Sequence, residues 1–137
     1  MEFITVEQFR EQPIEVQEVF LDWWEPSIGD IYSFIDLEEY SNDTCLIQCL
    51  SSPIQVTVAS NCKQEGNRIP LFTEGQLRKF IEDKTNRKSQ FMLHPFSGYY
   101  VFPIVRKEEM LLHAGTDDLL QAYWKVACIL AKESLNG

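Results

Sequence analysis

One helical stripe constrains this chain more than any other feature. Val16, Val19, Phe20, Trp23 and Trp24 fall at i, i+3, i+4, i+7 and i+8, the spacing that gathers side chains on one face of a helix. A face carrying three large aromatic rings needs an apolar surface opposite it, so the chain must build a core there. Glu15, Glu18, Asp22 and Glu25 lie mostly off that face. Pro13 suits the first turn, where a missing N–H costs nothing, and Pro26 and Gly29 stop the helix.

The material for such a core is present. A length of 137 residues, 45% of them hydrophobic, fits a single globular domain spanning 1–137. That apolar content excludes a disordered chain despite a net charge of −9.

Helix starts are marked twice by the same pattern. Thr5 with Gln8, and Thr73 with Gln76, each form a capping box, with Ile4/Phe9 and Phe72/Leu77 as hydrophobic staples. The first helix is expected to end near Gln12, before Pro13. The helix from Thr73 turns Leu77, Phe80 and Ile81 inward. A last helix over 116–133 is apolar around much of its circumference, with Asp117 and Asp118 at its positive end.

Strands are expected at 31–35, at 45–50 as a buried strand, and at 54–59, where Ile54, Val56 and Val58 alternate with Gln55, Thr57 and Ala59. Ser51-Ser52-Pro53 reads as the turn between the last two. Residues 91–94 and 99–105 read as a hairpin around Pro95-Phe96-Ser97-Gly98, with Pro103 pointing to an edge position. Residues 109–113 suggest one more short strand. Residues 36–43 read as an acidic loop or helical turn, and 61–70 as a polar, basic loop. The fold class is α+β: a small, mostly antiparallel sheet of four to five strands packed with three to four helices.

Charge is unevenly distributed. Residues 1–62 hold twelve acids and one base, a net of −11; residues 63–88 carry +3 and 89–137 carry −1. The acidic half opposes non-specific nucleic-acid binding. It favours a partner with a basic surface, met by Glu15, Glu18, Asp22, Trp24, Glu25, Glu38, Glu39 and Asp43. Adjacent residues on a helix point about 100° apart. Trp23 and Trp24 therefore cannot share one narrow seam, and one of them is expected at the rim.

Catalytic signatures are lacking: no G-x-S-x-G, H-E-x-x-H, Walker loop or dinucleotide fingerprint occurs. An enzyme is not expected; were it one, Cys62, His94 and His113 would be the first residues to mutate. Cys45, Cys49 and Cys62 with a histidine lack the common C-x2-C spacing of zinc sites, so neither metal nor cofactor is expected. The four cysteines fit reduced, buried thiols in a cytoplasmic protein. Neither a signal peptide nor a membrane segment is expected. An alternative is a nucleotide-type ligand, with Arg78, Lys79, Lys84, Arg87 and Lys88 meeting phosphates and Tyr99 or Tyr100 stacking on a base.

Three stretches carry a resemblance. They are Asp22-Trp23-Trp24-Glu25-Pro26 with Gly29-Asp30-Ile31-Tyr32; Ile69-Pro70-Leu71-Phe72-Thr73-Glu74-Gly75-Gln76-Leu77; and Leu119-Leu120-Gln121-Ala122-Tyr123-Trp124-Lys125-Val126-Ala127. Together they resemble short accessory proteins of phages and prophages of Gram-positive bacteria. The resemblance implies a viral or mobile-element origin and a host-cytoplasm setting, and carries no catalytic motif. With the acidic half, it leads to the expectation of a binding protein that modulates or inhibits a host protein.

Overall fold

The computed structural model describes residues 2–34, 46–65, 67–86, 89–94, 98–103, 112–113 and 118–136. The contacts of the chain, read above as one domain, cluster into two compact units: Thr5–Phe72, and Met1–Ile4 with Thr73–Gly137.

In the Thr5–Phe72 unit, α1 (Val6–Arg10) starts where the capping box places it. Thr5 Oγ1 accepts from the Gln8 amide at 3.1 Å, and Gln8 Oε1 accepts from the Thr5 amide at 3.1 Å. Pro13 precedes α2 (Ile14–Trp23), and its carbonyl accepts from the amides of Val16 and Gln17 at 2.9 and 3.0 Å. Helix α2 turns Val16, Phe20 and Leu21 inward. The Phe20 ring lies between Phe9 and Phe72, with centroids 6.3 and 5.7 Å away, in the tilted geometry that ring quadrupoles favour.

Helix α2 ends between its two tryptophans. The Trp24 backbone is extended (ψ 119°), although its amide still reaches the Phe20 carbonyl at 2.9 Å. Trp23 stays on the helix, half-buried and edge-on to Phe72 at 5.8 Å. Trp24 leaves the helix and is 1% exposed. The rim position belongs to Trp23.

Strand β1 (Ile31–Phe34) is the centre of an antiparallel sheet, between β2 (Leu46–Cys49) and β3 (Arg68–Pro70). Burial falls off toward β2. In one cross-strand row Ile69 and Ser33 are buried and Ile47 is 59% exposed; in the next, Pro70 and Tyr32 are buried and Gln48 is exposed. Residues 45–50 were expected to form a buried strand, but among the described residues β2 is an edge strand exposed at Ile47, Gln48 and Cys49, and only Leu50 beyond it is buried.

The strand expected at 54–59 is instead part of α3 (Pro53–Cys62). Ser52 caps it, its Oγ accepting from the Gln55 amide at 3.3 Å, and Pro53 opens the first turn. Ser-Ser-Pro is therefore a helix start, a placement proline favours because its missing N–H is not needed there. The loop expected at 61–70 holds the end of α3, a 3-10 turn (Lys63–Glu65) and β3.

In the second unit, Phe3 and Thr73 form an isolated antiparallel bridge. Helix α4 (Glu74–Thr85) begins with the second capping box and ends at Asn86, whose left-handed backbone (φ 55°) lets its amide reach the Glu82 carbonyl. Strands β4 (Ser89–His94) and β5 (Gly98–Pro103) form the expected hairpin, and β6 (Leu112–His113) pairs with β5 at Tyr100 and Val101. Pro103 thus ends a central strand instead of lying on an edge strand. The described β6 pairing ends at Val101, short of Pro103, so no described bond to β6 calls for the missing N–H. Helix α5 (Leu119–Leu135) packs on α4 and approaches β5. Its cap is Asp118, whose Oδ1 accepts from the Gln121 amide at 3.1 Å. Nine residues of α5 are buried, among them Tyr123, Trp124 and Cys128.

The α+β class stands. The single sheet of four to five strands with three to four helices is replaced, among the described residues, by two three-stranded antiparallel sheets and five α-helices. The stretch 36–43 lies outside the described residues. Replacing Thr73 by alanine removes the acceptor for the Gln76 amide and is expected to cost about 1 kcal/mol, measured by urea unfolding.

Candidate protein-binding surface

Helix phase produces an acidic strip. Glu15, Glu18 and Asp22 are spaced i, i+3 and i+7 on α2, opposite buried Val16 and Phe20, and Glu25 follows just past the helix end. All four are exposed. Glu15 and Glu18 have no ion-pair partner among the described residues, where Arg78–Glu82 (3.4 Å) and Lys79–Asp83 (3.2 Å) on α4 are the ion pairs. Two exposed carboxylates without such a partner, Glu15 and Glu18, project a negative field able to steer a cationic surface.

The end of the strip is braced from two sides. Lys63 Nζ donates to the carbonyls of Trp24 at 2.7 Å and Asp22 at 3.4 Å, placing a cation at the negative end of α2. A turn then carries the chain to β1. The Asp30 amide donates to the Ser27 carbonyl at 3.0 Å, and Gly29 takes φ 97°, where a side chain would be strained. This turn brings Asp30 Oδ2 to 3.0 Å from both the Trp24 indole nitrogen and the Ser27 amide. Trp24, expected among the partner-binding residues, is corrected by this geometry. It anchors the strip from beneath, and its buried ring presents nothing to a partner.

The other expected residues fall elsewhere. Glu38, Glu39, Asp43, Arg87, Lys88 and Cys45 lie outside the described residues. Arg78 and Lys79, expected to meet phosphate, are each engaged by a carboxylate one helical turn on. Lys84 lies over the Phe80 ring at 5.7 Å. Tyr99 and Tyr100 are neighbours on β5, in register with Leu93 and Met92 of β4. His94 ends β4 opposite Gly98, and His113 on β6 faces Tyr100. An open depression of about 470 Å³ lined by Glu2, Thr73, Glu74, Gly75 and Leu120 carries two carboxylates and no base, a poor match to phosphate. No group of three or more His, Cys, Asp or Glu able to hold a metal occurs among the described residues.

No protein-family model matches the chain, and neither a curated protein nor a solved structure matches it. Function therefore rests on the chain's own surfaces.

One of those surfaces is absent from the sequence reading. Helix α3 buries only Ala59, leaving Ile54 76% and Val58 42% exposed. Reading 54–59 as a strand put Ile54, Val56 and Val58 on one inward face. In a helix Ile54 and Val58 share an outward face instead. The signal that would have found it is Ser52-Pro53 with Gln55 three residues after Ser52. Gln55 Oε1 accepts from the Ser51 amide at 2.8 Å and the Ser51 hydroxyl at 2.9 Å.

Proposed function

We propose that this chain is a binding protein, encoded by a phage or mobile element, that modulates or inhibits a host protein by docking a basic surface of that protein on its acidic face. The exposed strip Glu15–Glu18–Asp22–Glu25, with Glu15 and Glu18 unneutralised among the described residues, carries this reading. The α2 scaffold supports it: three aromatic side chains and the Lys63 clamp fix the strip before any partner arrives, so little ordering entropy opposes docking. The resemblance to phage accessory proteins points to a host protein and the host cytoplasm. No helix among the described residues is long and apolar enough to cross a membrane.

Affinity capture from host lysate tests the proposal. The native chain is expected to retrieve a basic protein at low salt and to lose much of it at high salt. The double reversal Glu15→Lys/Glu18→Lys is expected to reduce capture about tenfold or more, mainly through a slower association rate. Equal capture by the two proteins, or no specific capture at either salt, counts against the proposal.

A further inference from the structure

Strand β2 and helix α3 belong to a stretch of chain unlike the acidic strip. Residues 46–62 contain no Asp, Glu, Lys, Arg or His, although residues 1–62 as a whole carry −11. Ile47 on β2 and Ile54 and Val58 on α3 are exposed there. Among the described residues, strand β2 is also the edge of its sheet. The Leu50 amide donates to the Asp30 carbonyl at 2.9 Å, one step beyond the pair Ile31–Cys49. Antiparallel hydrogen bonding alternates along a strand. Gln48, paired with Tyr32, therefore directs its backbone groups toward β1, while Ile47 and Cys49 direct theirs away from the sheet.

We propose that β2 is a homodimer interface, pairing antiparallel with β2 of a second copy of this chain. The uncharged segment permits that occupant. Two molecules of net charge −9 repel one another over most of their surfaces, and residues 46–62 let them meet without placing like charges face to face. A basic partner would gain more at the acidic strip. Strand symmetry agrees: an antiparallel edge-to-edge pair is isologous, each copy offering the donors and acceptors the other needs. With Gln48 on the twofold axis, Ile47 of each copy exchanges backbone hydrogen bonds with Cys49 of the other. Helix α3 begins four residues after β2 ends and continues the uncharged run of the chain.

Sedimentation of the full chain at about 100 μM is expected to give a mass twice the monomer's 16.0 kDa. Ile47→Lys puts a charge on an exposed edge position; it is expected to weaken the dimer about tenfold or more while leaving the far-UV circular dichroism unchanged. A second variant works independently of that one. Gln48→Cys in a Cys49→Ser background is expected to form an intermolecular disulfide under mild oxidation, because non-hydrogen-bonded partners approach to a Cα separation of about 4.5 Å. A monomer at this concentration overturns the proposal. So does a dimer undiminished by Ile47→Lys, or one in which position 48 does not cross-link.

Discussion

Replacing Trp24 by alanine is expected to lower the unfolding free energy by about 3–5 kcal/mol, the range for deleting a large buried aromatic. The side chain is 1% exposed, so its removal leaves a void that the surroundings fill only in part. It also removes the indole N–H that Asp30 accepts at 3.0 Å. Two milder variants separate these effects. Trp24→Phe keeps most of the ring volume and removes the donor, leaving Asp30 its Ser27 amide; a loss of about 1–2 kcal/mol is expected. Asp30→Ala leaves the buried indole N–H without this acceptor and is expected to cost more, about 2–3 kcal/mol, because an unsatisfied buried donor bears its full desolvation penalty. Denaturant unfolding followed by circular dichroism measures all three. If Trp24→Phe proves worse than Asp30→Ala, this account of the turn is wrong.

The second large effect is a loss of stability in alkali that traces to Cys128. Burial in α5 pushes its thiol up from 9.0 to about 12, and nearby Lys132 pulls only weakly the other way. Between pH 9 and 12 the folded chain keeps a proton that the unfolded chain gives up. Stability from this group is therefore fully present below pH 9 and falls as pH rises, by about 1.4 kcal/mol per unit and about 4 kcal/mol across the window. Unfolding curves at pH 8, 10 and 11 for the native protein and Cys128→Ala isolate the contribution. The variant is expected to start less stable and to lose less with pH. Parallel slopes would rule out a buried neutral thiol as the cause.

Sequence made local rules legible and tertiary ones less so. Thr5/Gln8 and Thr73/Gln76 marked true helix starts because a capping box is satisfied within four residues. The acidic strip was legible for a similar reason, since helix phase alone places Glu15, Glu18 and Asp22 together. Trp24 was not, because its direction depends on where α2 stops, and that is set with help from Lys63, 39 residues away. Helix α3 was misread because Ile54, Val56 and Val58 satisfy a two-residue period, while the competing evidence was a single cap at Ser52. The exposure of β2 was hidden too: a run such as Leu46-Ile47-Gln48-Cys49 looks equally at home in the middle of a sheet or at its edge. Only the pairing order decides between them.

The bridge between Phe3 and Thr73 has a consequence for how the polypeptide folds. One bridge between residues seventy positions apart offsets little of the entropy of closing so long a loop from a random coil, a cost that grows with the logarithm of its length. Once the intervening 5–72 segment condenses, its two ends are no longer free to wander, and most of that entropy has already been lost. The tether does what no contact need do: ordering of the middle of the chain makes the meeting of residues 3 and 73 far more probable. Connectivity alone thus links the order of the first few residues to the collapse of the segment that follows them.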